Sequence, residues 1–218
     1  MSAATAWIFA NGDLRDESAI RAQIGPEDGI FIADGGLRHA LRLGLRPRLV
    51  IGDLDSADPQ QIALLEQAGV AVERHPAHKD ETDLELALLA AAGAGYTSLR
   101  VAGALGGRLD MTLSNIFLLS LPALRGLDVR LEDGLETVFL IFPGSAARVD
   151  HRAGQGLSLL PLGGPARGIH TGGLEYPLRG ETLLPERSRG ISNRVIAPEA
   201  WVTLEDGCLI CILRKEAD

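Results

Sequence analysis

The sequence predicts an α/β protein, an N-terminal domain built on a parallel β-sheet followed by a C-terminal all-β domain. Three observations carry this prediction. In the first half of the chain, short apolar runs alternate with segments of helical periodicity, the signature of βαβ units. From about Leu127 the texture changes to strands broken by Gly and Pro. Within the first half, the apolar run Leu49-Val50-Ile51 ends in Gly52-Asp53-Leu54-Asp55-Ser56, placing two carboxylates at the C-terminal edge of a strand, where open α/β sheets bind ligands.

Each element follows from its own residues. Ala6–Ala10 and Gly29–Ala33 are apolar enough for buried strands, and the second runs into Ala33-Asp34-Gly35-Gly36. Leu49–Gly52 is the third strand. Asp58 as N-cap and Pro59 at the first helical position open a helix that runs to Ala68, and Ala71–Arg74 returns as a strand. Thr82–Ala92 reads as a helix because Leu84, Ala87, Leu88 and Ala91 fall at i, i+3, i+4 and i+7, with Asp80 its expected N-cap and Asp83 at N3. Ser98–Ala102 is a strand, and a helix from about Met111 to Leu121 stops at Pro122. Beyond it the expected strands are Asp128–Glu132, Glu136–Phe142, Leu157–Leu160, Ile191–Ala197, Ala200–Glu205 and Cys208–Leu213. The predicted domains are residues 1–125 and 126–218. Trp7 and Trp201 lie in strands and are expected in the core.

Composition narrows the function classes. At 218 residues with 46% hydrophobic content, the chain buries a substantial core, and no apolar run approaches the roughly 18 residues of a membrane span. The start, Met1-Ser2-Ala3-Ala4-Thr5, has no basic segment and no cleavable apolar region, so a cytoplasmic protein is expected. A net charge of −8 argues against an extended grip on nucleic acid, while a polyphosphate remains admissible if a divalent cation stands between. Cys208 and Cys211 lie three apart in an apolar terminal strand, facing opposite sides, and form neither a disulfide framework nor a metal pair. His39, His75, His78, His151 and His170 show no ligand spacing.

The acidic residues do. Side chains two apart on an extended chain point the same way, so Asp53 and Asp55 are expected to project together. Asp34, at another strand end, and Asp83, at a helix start, would join them. Oxygen donors of this kind suit Mg2+, which keeps several waters and needs only one or two direct carboxylates beside substrate phosphates. The weaker alternative for Asp53 and Asp55 is strand-end solvation or a plain turn, but turns alone do not readily bring such a pair beside two further carboxylates. Gly103-Ala104-Leu105-Gly106-Gly107-Arg108-Leu109-Asp110 links a strand to a helix and reads as an anion cradle, with glycine backbone N–H groups and an Arg108 fork. It is neither a Walker A loop nor a dinucleotide fingerprint. His170–Leu178 and Arg189–Asn193 read as loops whose Tyr176, Ser192 and Asn193 serve either a polar heteroaromatic ring or ordinary packing and strand ends.

Taken in order, Ala33-Asp34-Gly35-Gly36, Pro47–Ser56, Asp80-Glu81-Thr82-Asp83-Leu84-Glu85, Gly103–Asp110, Gly173–Leu178 and Gly190-Ile191-Ser192-Asn193 resemble the thiamine pyrophosphokinase family across nearly the whole chain. The resemblance implies a Rossmann-like α/β catalytic domain, a C-terminal β-sandwich, and a homodimer whose thiamine pockets are shared between subunits. It implies that ATP and thiamine give AMP and thiamine diphosphate. By position, Asp34, Asp53, Asp55 and Asp83 would hold or surround Mg2+, with Asp53, Asp55 and Asp83 in the catalytic set. Asp34, Gly106, Gly107, Arg108 and Asp110 would lie at the nucleotide, and Tyr176, Ser192 and Asn193 around thiamine. Two positions depart from the family pattern: Leu86 stands where a lysine is usual, and Met111 where a histidine is usual. Alternatives in view of those departures are transfer to another hydroxymethyl heterocycle such as a pterin, a non-catalytic thiamine-binding protein, and a nucleotide hydrolase.

Overall fold

The structure, a computed structural model, describes residues 4–55, 57–144, 146–149 and 155–215. Met1, Ser2, Ala3, Ser56 and His151, named above, lie outside the described residues. The chain divides into two units, Met1–Gly134 and Leu135–Asp218.

The first unit is a parallel sheet with helical crossovers. Its strands are β1 (Ala6–Phe9), β2 (Gly29–Ala33), β3 (Leu49–Gly52), β4 (Ala71–Arg74), β5 (Ser98–Ala102) and β6 (Asp128–Glu132), in the spatial order β6-β5-β1-β2-β3-β4. Every residue of β1, β2 and β3 is buried, as expected for strands covered on both faces. The helices are α1 (Glu17–Gln23), α2 (Leu37–Arg42), α3 (Pro59–Gln67), α4 (Asp83–Gly93) and α5 (Leu109–Leu118). Trp7, Phe9, Ile30, Ile32 and Val50 form the core with Ile20 of α1, Leu37 of α2 and Ile62 of α3. In α4, Leu84, Ala87, Leu88 and Ala91 are all buried, on the face their spacing predicted.

Strand order places the ligand edge. The chain steps from β1 outward through β2, β3 and β4, then returns to the other side of β1 for β5 and β6. Ligands bind at the carboxyl ends of the strands where the order reverses, here between β1 and β5.

Three expectations change in this unit. Asp128–Glu132, expected in the β domain, is the sixth parallel strand, in register with β5 from Ser98↔Asp128 to Ala102↔Glu132. The break at Gly126 that reads as a domain boundary only returns the chain to the sheet, where Val129 and Leu131 are buried. Thr82, not Asp80, caps α4: its Oγ1 accepts from Glu85 N at 3.2 Å, which puts Asp83 in the first turn. Helices α1 and α2 are too short to show a periodic stripe; α1 is fixed instead by Asp16, whose Oδ1 accepts from Ala19 N at 2.9 Å.

The second unit is an antiparallel sandwich. One sheet orders β12 (Asn193–Arg194), β9 (Gly156–Pro161), β14 (Leu209–Arg214) and β7 (Glu136–Ile141); the other orders β11 (Arg179–Leu183), β10 (Ala166–Gly172), β13 (Ala200–Thr203) and β8 (Ala147–Val149). Phe139, Ile141, Leu157, Leu159 and Cys211 of the first sheet share one core with Val149, Ile169, Leu183 and Val202 of the second. The expected strand Ile191–Ala197 contracts to β12, and His170–Gly172, expected in a loop, completes β10. Register shifts in β10 between Ala166 and Ile169 and again before His170 break the period-two pattern by which a strand is read. Trp201 is 39% exposed and leaves the expected core. Its neighbour Val202 takes the inward position, and the indole lies over Gly172, where an added Cβ would be 2.3 Å from Nε1.

Glycine packing gives a test of this framework. A Cβ on Gly36 would stand 2.0 Å from the Phe9 carbonyl oxygen in buried β1, whereas one on Gly93, at the end of α4, meets nothing within 4 Å. Gly36→Ala is expected to cost about 2–3 kcal/mol or more through overpacking against backbone. Gly93→Ala is expected to add about 0.5–1 kcal/mol. Urea unfolding of both variants checks the opposite signs.

Candidate active site

Four neighbouring strands deliver their C-terminal ends to one edge, and a few residues past each end determine what collects there. After β2 the chain turns at once through a 3-10 turn, Asp34–Gly36, with Asp34 in the left-handed region at φ 41°. Side-chain-bearing residues seldom adopt that conformation, and where they do the surrounding structure holds them. Strand β3 ends at Gly52, where an added Cβ would lie 2.9 Å from Asp34 Cβ and 3.2 Å from Asp83 Cγ. The bare backbone of Gly52 is therefore what lets Asp34 and Asp83 close in from two sides. Asp53 follows directly, and Asp83 opens α4 behind its Thr82 cap.

One carboxylate oxygen from each of Asp34, Asp53 and Asp83 lies within 4.8 Å of the other two. Around an octahedral Mg2+ at about 2.1 Å, neighbouring oxygens stand about 3.0 Å apart and opposite ones about 4.2 Å, so the three carboxylates must draw together to share one ion directly; the donors are the hard oxygens the ion prefers. The site also holds a cation of its own. Lys79 Nζ is 2.8 Å from Asp83 Oδ1 and 3.3 Å from the Pro76 carbonyl oxygen.

Asp55 stands apart from this group. It is exposed, and its backbone N–H donates to Asp53 Oδ1 at 3.2 Å. The expectation that Asp53 and Asp55 project together assumed an extended backbone, but Leu54 is left-handed at φ 59°, which ends the alternation one residue after Asp53.

The Gly-rich segment after β5 meets the loop after β1. Gly12 N donates to Gly103 O at 2.6 Å and Asp13 N to Leu105 O at 3.0 Å, so the two loops at the switch point are joined by backbone. Gly106 and Gly107 follow at φ 78° and 66°, a conformation glycine adopts without cost. Helix α5 holds the segment from below: Asn115 Nδ2 donates to Ala104 O at 2.8 Å in a buried contact, and Thr112 Oγ1 donates to Gly106 O at 3.1 Å. Arg108 and Asp110 are exposed and paired to each other, Nη2 to Oδ2 at 2.5 Å and Nε to Oδ1 at 3.1 Å. That pairing, first through its hydrogen bond, holds the Asp110 carboxyl below the usual range.

The sequence reading missed the loop Asn11-Gly12-Asp13 and the residues that support it. Arg38 Nη2 donates to Asn11 O at 2.7 Å and to Gly12 O at 3.0 Å. Buried His39 lies with Nε2 2.9 Å from Gly12 O and Nδ1 2.8 Å from Arg42 Nη2. A carbonyl on one side and a guanidinium on the other fix the neutral tautomer with the proton on Nε2. Burial, reinforced by Arg38 and Arg42, lowers the His39 pKa. The available signal was a polar triplet straight after a fully apolar strand.

In the second unit, Tyr176, Ser192 and Asn193 lie together but do different things. Asn193 is buried, and its amide is committed to backbone: Oδ1 accepts from Tyr176 N at 3.0 Å and Arg194 N at 2.9 Å, and Nδ2 donates to Tyr176 O at 2.8 Å. Tyr176 itself is 53% exposed, and Ile191 and Ile196, on the segment that includes Asn193, are exposed as well. Ser192 is left-handed at φ 56°, with its N–H donated to Ser158 Oγ at 3.1 Å. Asn193 thus positions the Tyr176 segment.

Comparison with known proteins adds to this geometry. The family described as "Thiamin pyrophosphokinase, catalytic domain" matches residues 24–131, and "Thiamin pyrophosphokinase, vitamin B1 binding domain" matches residues 147–209. A thiamine pyrophosphokinase of Bacillus subtilis (strain 168) is 29% identical over 179 residues, covering 82% of this chain and 84% of the relative. The crystal structure of thiamine pyrophosphokinase from Bacillus subtilis superposes with a TM-score of 0.87 at 25% identity, covering 98% of this chain and 100% of the other. That of thiamin pyrophosphokinase from Geobacillus thermodenitrificans does so with a TM-score of 0.84 at 25% identity, covering 98% and 99%.

His39 generates a pH prediction. Its folded pKa lies below its unfolded value of about 6.5, so the unfolded chain binds the extra proton first and stability falls as pH drops from near 6.5 through the folded pKa. Wild type is expected to lose stability over that interval, and His39→Asn, less stable at pH 7.5, is expected to lose less. Urea midpoints of both proteins from pH 7.5 to 5 test this; parallel curves would refute it.

Proposed function

The chain belongs to the thiamin pyrophosphokinase family, and from that premise we propose that it transfers the diphosphate of ATP to the hydroxyl of thiamine, releasing AMP and thiamine diphosphate. Its class as a thiamine diphosphokinase follows from the family; the donor, the product and the residues in their roles are our reading. The observation that carries it is the convergence of Asp34, Asp53 and Asp83 on the carboxyl edge of a parallel sheet whose switch point carries a glycine-rich strand-to-helix loop.

In this reading Asp34, Asp53 and Asp83 hold Mg2+, which supplies charge neutralisation to the polyphosphate when bound. The chain's own groups do the rest by position. Backbone N–H groups of Gly106 and Gly107 face the phosphates, and the joined loops after β1 and β5 form a floor that needs no reorganisation during reaction. The thiamine oxygen attacks the β-phosphorus in line, the bond from that phosphorus to the bridging oxygen of the α-phosphate breaks, and AMP departs with the bridging oxygen. Asp55, exposed two residues beyond Asp53, takes the hydroxyl proton, because Asp83 belongs to the group that holds the metal. Arg108, with Asp110 as its partner, lies at the outer rim of the nucleotide site.

Tyr176 provides the surface for the thiamine rings, with Asn193 holding its backbone and Ser192 beside it. Leu86 and Met111 are, in this reading, tolerated departures. Lys79 supplies a cation in the cluster, and Met111 lies exposed in the first turn of α5. A homodimer with pockets shared between copies and a cytoplasmic location belong to the same proposal, on the strength of the family resemblance. Among the described residues no helix is long and apolar enough to cross a membrane.

The test is AMP release from ATP and Mg2+ by purified protein with thiamine, with a pterin alcohol and with no acceptor, following the acceptor product by mass. Thiamine-dependent AMP and diphosphorylated thiamine are expected. Asp53→Asn and Asp83→Asn should each lower kcat/KM about a hundredfold or more, and Asp55→Asn should lower kcat with little change in thiamine KM. Full turnover by folded Asp53→Asn would sink the metal-site reading, and AMP release without acceptor would make the protein a hydrolase.

A further inference from the structure

Lys79 sits where helix electrostatics gives no reason for a cation. It precedes the Thr82 cap of α4, at the positive end of the helix dipole, and reaches forward four residues to Asp83 in the first turn. Lysine N-terminal to its acidic partner is the less favourable order for an i, i+4 pair, and a cation near a helix N-terminus opposes the dipole. Nor is this a solvated surface pair of the kind that contributes little. The Lys79 and Asp83 side chains are 13% and 23% exposed, and the carboxylate Lys79 contacts is one of the three that converge.

We propose that Lys79 is a resident counter-cation of the acidic cluster. It neutralises Asp83 while no divalent ion is bound, and it moves onto a substrate phosphate when the ion takes Asp83. The inference rests on the reading that Asp34, Asp53 and Asp83 hold a metal. Lysine suits the task because its ammonium is a point charge on a flexible four-carbon stem, and among the described residues the movement breaks only the contacts to Asp83 and the Pro76 carbonyl. An ion arriving alone must displace Lys79 into water. An ion arriving with a polyphosphate gives the displaced ammonium a new anion, so the site favours the metal–nucleotide complex over the free metal. Lys79 is a positioning and selectivity residue in this scheme and takes no proton.

The experiment uses Mn2+ as probe, its binding followed by loss of the free-ion electron paramagnetic resonance signal. Wild type, Lys79→Met, Lys79→Arg and Asp83→Asn are compared with and without an ATP analogue carrying a methylene bridge between the α- and β-phosphates. Without nucleotide, Lys79→Met is expected to bind Mn2+ about tenfold more tightly than wild type, and with Mg2+ present to bind the analogue about tenfold more weakly, the size of one charge-assisted contact. Lys79→Arg should resemble wild type in both. A merely structural role for Lys79 would lower thermal stability without raising Mn2+ affinity. Wild type that binds Mn2+ while Lys79→Met binds it no more tightly overturns the Lys79 proposal and leaves the metal reading standing. Wild type that takes up no Mn2+, with or without the analogue, overturns both.

Discussion

The close approach of backbone at Gly52 is the constraint from which the acidic cluster follows. Any side chain there would crowd both Asp34 and Asp83, two of the three carboxylates that converge. The approach is affordable only because β1, β2 and β3 are buried throughout and hold their ends in fixed register. The apolar interior of the sheet and the chemistry of its edge are therefore one design. Strands that cannot shift carry turns that need not be adjusted when a ligand arrives.

Charge is distributed around that edge with the same economy of parts. Arg38, His39 and Arg42 lie behind the loop after β1, where two of them contact its carbonyl oxygens, and His39 remains neutral between a carbonyl and a guanidinium. In front lies the carboxylate group, with Lys79 against Asp83. Behind the loop Arg38 orients backbone and Arg42 orients His39, and the cation in front faces the acidic cluster, so residues of like charge serve different ends. On the second unit, Asn193 fixes the Tyr176 segment through backbone contacts alone, leaving the aromatic ring itself exposed.

Much of this was legible in the residues. Fully buried strands, the Asp58-Pro59 helix start and the buried face of α4 are written in local pattern and burial, and so were Asp34, Asp53 and Asp83 as carboxylates at strand ends and a helix start. Asp55 was misread because the rule of alternating side chains holds only while the backbone stays extended, and the left-handed Leu54 carries no sequence mark. β10 escaped because its register shifts defeat a period-two search, and Trp201 because hydrophobicity does not say which face of a strand it occupies. The loop Asn11-Gly12-Asp13 went unread for a different reason. Its partner lies some ninety residues away at Gly103 and Leu105, and only topology makes β1 and β5 neighbours.

Asp34, Leu54 and Ser192 are the non-glycine residues with left-handed backbone among the described residues; the first belongs to the carboxylate group, the second follows Asp53, and the third precedes Asn193, which holds the Tyr176 segment. Each holds a conformation that costs roughly 1–3 kcal/mol relative to an unstrained one. Efforts to make the protein more heat-resistant by relieving uncomfortable backbone would begin at these places, with glycine or asparagine as the natural replacements. They would be working on the turns that aim the site. Relieving strain and keeping the geometry of the carboxylate group are opposed aims at those positions, and substitution has freer range at Gly93 and Gly164, where the backbone is not left-handed and no neighbour stands within 4 Å of an added Cβ.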